Sequence, residues 1–213
     1  YYTRKLVRDD RLVVYVPYYV SYTDDPDILT SLGFAGIYAD YVITQSEWYR
    51  NEYERCLDKY RDMGDNARAA VDYYDNGHKF AVLGNPKYDK VAILTKKSYP
   101  LSDGWHDALF CGAGQRLTLL LDTTVELVLK QRENVFEKIN AVIDFVEESR
   151  DMALLWRPHP LIEVTISDMV PELEETYRRT IERCRDLDNC IFDDTPDMHR
   201  AMAWSDCFFG KYG

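Results

Sequence analysis

At 213 residues and a formal net charge of -11, the chain can form one large or two small domains and is too acidic for a general nucleic-acid binder, which carries a basic stripe. With 46% hydrophobic and 30% charged residues it has the make-up of a folded globular protein, which excludes a disordered chain. No apolar run approaches the ~20 residues of a membrane span and the polar, tyrosine-rich start is no signal peptide, so a cytoplasmic chain is expected. The cysteines, Cys56, Cys111, Cys184, Cys190 and Cys207, are odd in number and form no C-x-x-C pair, which points to reduced, mostly packed thiols.

Short apolar runs alternate with amphipathic helical patterns, the signature of βαβ units and a mostly parallel sheet. In chain order the runs predict strands at 12–16, 41–44, 80–83, 117–121, 152–156, 190–192 and 207–209. Between them, Tyr49, Tyr53, Cys56, Leu57 and Tyr60 recur at helical spacing behind a Ser46 cap. Val135, Ile139, Val142 and Val146 form a second stripe. Leu173, Tyr177, Ile181 and Cys184 form a third, with Pro171 in its first turn, and Thr195-Pro196 with Asp197 announces a short helix through Trp204. Residues 96–116 hold Pro100, Gly104, Gly112 and Gly114 with no clear period, and read as a linker. The expected division is a first α/β half over 1–95, the linker over 96–116 and a second half over 117–213.

Most chemical motifs fail. Gly112 and Gly114 lack the third glycine of a dinucleotide fingerprint and precede a strand, and no phosphate-loop or serine-elbow sequence occurs. Asp193, Asp194 and Asp197 are better explained by a helix start than by a metal, and no metal or cofactor is expected. His78 and His106 lie in polar stretches, while His199 falls within the short helix.

The run LLWRPHP, from Leu154 to Pro160, stands apart. Proline disfavours the helical conformation of the residue before it, so Arg157 and His159 are expected extended, projecting to one side at the carboxyl end of a parallel strand. Ligands of open α/β sheets bind at that edge. A proline stop with exposed polar side chains is the competing explanation. Thr123 and Thr124, at the end of LLLDTT, either cap the following helix or hold a phosphate at its N-terminus. Asn85 and Lys87 belong to a third strand end, read either as a turn or as a cleft wall.

In this order, GNPKYDKV (84–91), LLLDTTVELVLK (119–130), LLWRPHPL (154–161), SDMVPELEETY (167–177) and FDDTPDMHRAMAWSDCFFG (192–210) resemble the CDP-glycerol glycerophosphotransferase family, the GT-B transferases that build teichoic-acid-like polymers of the bacterial cell wall. The resemblance implies a GT-B-like α/β fold of two Rossmann-like halves. It implies transfer of glycerol phosphate, or a related alditol phosphate, from CDP-glycerol or a similar nucleotide-activated donor to a polymer or lipid-linked acceptor, with CMP leaving. On it, Arg157 and His159 contact the donor diphosphate, Thr123 and Thr124 line the same cleft, and Asn85, Lys87, Gly210 and Lys211 are candidates for its walls. Nucleic acid is not a partner, and the inner face of the membrane is reached through other segments.

Two departures stand against the family pattern. The segment aligned with its Trp-His-Gly histidine, a proposed general base, reads VYVPYYV over 14–20 without a histidine. Its Gly-Asp-x-Ser-Ser motif appears as Gly210-Lys211-Tyr212-Gly213, after which the sequence ends, so a fragment of a longer protein is expected. A donor-binding relative without catalysis and a GT-B enzyme acting on a UDP-sugar are therefore the alternatives. The tyrosines of YYVSY, 18–22, suit either strand formation or sugar stacking.

Overall fold

The computed structural model describes residues 11–17, 28–75, 77–101, 103–112 and 114–210. Lys211 and the 18–22 tyrosines lie outside them, as do the last residues of the 14–20 segment. The chain is α/β with parallel sheets, of the Rossmann-like class, and divides into two compact units at the 93/94 junction.

The first unit runs β1 (Val14–Tyr15), α1 (Ile28–Ile37), β2 (Tyr41–Thr44), α2 (Glu47–Arg61), α3 (Asp65–Tyr74), β3 (Phe80–Val82) and α4 (Pro86–Ala92), with a parallel sheet in the order β1-β2-β3. Ser46 caps α2 as expected, its hydroxyl accepting the Tyr49 amide, and Tyr49, Tyr53, Cys56 and Leu57 close over Val42 and Val71. Lys79, 3% exposed, donates its ammonium to the carbonyls of Ile37 and Ala39, satisfying acceptors that α1 leaves open at its end. That burial pulls its pKa down to about 8, against the attraction of Asp75 and Asp40.

The second unit opens with a 3-10 turn (Lys96–Ser98), then α5 (Asp103–Leu109) and an antiparallel pair, β4 (Phe110–Cys111) with β5 (Gly114–Gln115). The linker expectation for 96–116 is corrected here. Trp105, Ala108 and Leu109 pack against Leu120, Leu155 and Ile191, and the Arg116 guanidinium donates to the carbonyls of Asp107, Ala108, Phe110 and Arg150. A seven-residue helix is too short to display a period, and Gly112, at φ +60°, starts the turn of the hairpin.

There follow β6 (Leu117–Thr123), α6 (Val125–Gln131), α7 (Glu133–Glu147), β7 (Met152–Pro158), α8 (Ile162–Met169), a 3-10 turn (Pro171–Leu173), α9 (Glu174–Asp186), β8 (Cys190–Phe192), α10 (Met198–Trp204) and β9 (Cys207–Phe209). All three pairings of this four-stranded sheet are parallel, in the order β8-β7-β6-β9. The chain thus winds outward from β6 through β7 to β8, then crosses back to set β9 on the other side of β6, creating the topological switch where ligands collect in open sheets. Both faces are sealed. Leu121, Leu154 and Trp156 meet α7 and α9 through Phe136, Ile139, Ile143 and Tyr177, while Leu120, Leu155 and Ile191 meet α5 and α10. From Ala153 to Trp156 every residue of β7 is fully buried, so the strand that carries Arg157 and His159 is anchored in the centre of the unit.

Candidate functional site

The four carboxyl strand ends of the second sheet bring together most of the residues singled out from sequence. Strands β6 and β7 each run two residues further than expected, so Asp122 pairs in register with Arg157, and Thr123 with Pro158. Pro158 and Pro160 have no amide to satisfy. The amides that remain are all used: His159 donates to the Thr123 carbonyl at 2.9 Å, Leu161 to His159 Nδ1 at 3.2 Å, and Ile162 to the His159 carbonyl at 2.9 Å. With Nδ1 accepting, the neutral imidazole carries its proton on Nε2. The exposed His159 ring therefore presents an N–H donor at the end of a buried strand, and among the described residues nothing occupies it.

Arg157 behaves differently from the expectation that it projects freely beside His159. Its guanidinium is 13% exposed, bonds Asp193 Oδ2 at 2.5 Å and donates to the Thr195 carbonyl at 2.8 Å. Asp193, 1% exposed, also accepts the Thr195 hydroxyl at 2.6 Å and its amide at 3.1 Å. A buried carboxylate demands such donors, so Arg157 is spent on holding the loop after β8. The same demand removes Thr195 from the helix start: Asp197 is the N-cap of α10, accepting the His199 amide, instead of a first-turn acid.

The threonines are corrected similarly. Thr123 is 2% exposed and its hydroxyl accepts the Trp156 indole N–H at 3.0 Å, which locks β6 to β7. Thr124 is the N-cap of α6, accepting the Leu127 amide at 3.3 Å. Thr123 is thus closed off by burial, while the half-buried Thr124 hydroxyl is engaged first of all as a helix cap. In the first unit Asn85, 9% exposed, caps α4 by accepting the Lys87 amide at 3.0 Å, after a turn in which Gly84 takes φ +87°. Lys87 is exposed on that helix. Gly210 does reach the second unit's strand ends: a Cβ there would lie 3.2 Å from Asp122 Cβ and collide with the Phe208 ring.

A cleft of about 330 Å³ opens beside His159, with Glu163, Tyr177, Arg185, Phe192 and Asp194 among its walls. Arg185 lies 4.9 Å over the Phe192 ring and 3.3 Å from Asp194. Each guanidinium in the cleft thus has a carboxylate partner, Arg157 in Asp193 and Arg185 in Asp194, while His159 offers a neutral N–H donor beside them. Tyr177 is held protonated, its pKa raised to about 12 chiefly by burial. The first unit contains a larger cavity, about 430 Å³, but it sits at the amino end of β3 and is lined by groups already bound to one another, such as Arg61 with Asp58 and Asp75.

Sequence reasoning overlooked Asp122 as a group of interest. It is half-buried, and burial raises its pKa against the pull of His159 and Arg157. The available signal was an acid ending an otherwise apolar strand. It also overlooked the Arg157–Asp193 pair, whose signal was two apolar runs, LLW and CIF, each closing on a charge of opposite sign.

No protein-family model and no curated protein matches this chain. The functional reading therefore rests on the geometry and on the motif order. Among the described residues no helix is long and apolar enough to cross a membrane.

Proposed function

We propose that the chain is a GT-B-like transferase that moves glycerol phosphate, or a related alditol phosphate, from a CDP-activated donor to an acceptor hydroxyl of a teichoic-acid-like polymer at the inner face of the membrane. The observation that carries the proposal is His159: an outward N–H donor, in a fixed tautomer, on the carboxyl end of a buried parallel strand. Phosphoryl transfer is mostly positioning and charge stabilisation, which a rigidly mounted donor supplies. Arg157 serves this site indirectly by fixing the loop of Asp193 and Thr195 that forms the facing wall.

Calorimetric titration of CDP-glycerol, with UDP-glucose as control, into the protein at its full natural length tests the proposal. Selective binding of CDP-glycerol, weakened about tenfold or more in His159→Ala with unchanged thermal stability, is the expected result. Preference for UDP-glucose would favour the sugar-transferase reading, and binding of neither would overturn donor recognition. One observation favours a donor-binding relative without catalysis: the 14–20 segment offers no histidine as a base. Donor binding without CMP release would establish that second reading.

A further inference from the structure

Resting on the transferase reading above, we propose that Asp122 is the general base that accepts the proton of the attacking hydroxyl. The reaction needs such a group, because a neutral hydroxyl is a poor nucleophile toward phosphorus until its proton has somewhere to go. Asp122 is placed to receive it. It is the penultimate residue of the central strand, in register with Arg157, and the next residue's carbonyl accepts the His159 amide. The acid and the phosphate-facing imidazole are therefore mounted on adjacent strand ends of one rigid sheet.

Three further features suit the role. Among the described residues no side chain hydrogen-bonds to Asp122, whose carboxylate is held by the Thr123 backbone alone, in contrast to Asp193, Asp194 and Asp197 in the neighbouring loop, which are tied to side chains or to a helix start. Its neighbour just past β9 is Gly210, whose missing side chain leaves space where a Cβ would crowd Asp122 and the Phe208 ring. Burial raises its proton affinity above that of an ordinary aspartate, which strengthens the carboxylate as a proton acceptor. The charged groups around it are Arg157 of β7 and His159 just beyond that strand, with Asp193 past Arg157 neutralising the guanidinium, and Lys138 of α7, which lines the same cavity as Asp122.

In the step, the acceptor oxygen bonds to the phosphorus that carries glycerol while its proton passes to the Asp122 carboxylate. The bond from that phosphorus to the bridging oxygen breaks, and CMP departs with the electron pair. His159 Nε2–H donates to the phosphoryl oxygens throughout, and Asp122 returns its proton to water after product leaves.

The test uses the protein at its full natural length with CDP-glycerol as donor and a short glycerol phosphate oligomer as acceptor, reading CMP release against pH beside calorimetric donor binding. Asp122→Asn is expected to bind CDP-glycerol within about threefold of the wild type, to release CMP at least ~100-fold more slowly and to lose the acidic limb of the pH profile. Asp122→Glu should keep that limb at a reduced rate. Gly210→Ala should slow release without abolishing the limb. Wild-type CMP release by Asp122→Asn, or joint loss of its donor binding and thermal stability, overturns the base assignment while leaving the transferase reading intact. Failure of the wild type to release CMP overturns both.

Discussion

The two parallel sheets differ in depth. In the first unit β1 has two residues and β3 three, all of the latter only half-buried, and the core gathers on α2 instead of between two sealed faces. In the second, β6 and β7 run seven residues each in unbroken register, with helices closing both faces. The difference teaches where a fold can afford exposed chemistry. The first unit uses its polar strand-end residue Asn85 to start a helix, whereas the second has enough buried strand to leave His159 outside.

Breaking that comparison begins with the sealed strand. Trp156→Ala removes a fully buried ring and orphans the Thr123 hydroxyl, and should lower the unfolding free energy by about 3–5 kcal/mol in denaturant titration. Arg157→Met leaves Asp193 charged and unpaired in the interior, with an expected loss of about 3 kcal/mol, whereas the double variant Arg157→Met/Asp193→Leu should recover much of it. Recovery would identify the pair as structural, and a still-lost donor affinity in the recovered protein would show that the loop it holds shapes the site.

Lys79 tests the shallower unit. Its folded pKa, about 8, lies below the ordinary 10.5 of an unfolded lysine, so between those values the unfolded chain binds the extra proton. Stability of the first unit should therefore rise with pH across that window, by up to ~1.4 kcal/mol per pH unit, and Lys79→Met should flatten the rise. A wild-type profile flat from pH 8 to 10.5 would mean that the two carbonyls hold the ammonium without penalty. The smallest effects should come from the caps: Ser46→Ala in the first unit and Thr124→Ala in the second should each cost about 1 kcal/mol, and donor affinity should survive Thr124→Ala. A tenfold loss of affinity there would return Thr124 to the ligand site.

Much of this architecture was legible from residue patterns. The strands at Tyr41–Thr44, Cys190–Phe192 and Cys207–Phe209 fall where the apolar runs put them, and the α2, α7 and α9 stripes face the core. What escaped is what depends on partners distant in sequence. Asp122, Thr123, Arg157 and Pro158 are polar or ring-locked residues that end an apolar run when seen alone, yet they pair with one another as strand. The fate of Arg157 is decided 36 residues away at Asp193, and that of Thr123 by an indole 33 residues on. His159 was readable because prolines constrain it locally, through its own neighbours.

The prolines around His159 have one more consequence. A phosphate loop grips its ligand with main-chain amides, which persist through almost any change of side chain. Here Pro158 and Pro160 offer no amide, and those of His159 and Leu161 are already engaged. A ligand at this strand end can be held only by side chains, so a single codon change is enough to retune or erase its recognition while the scaffold stands, and drift in specificity should be quick.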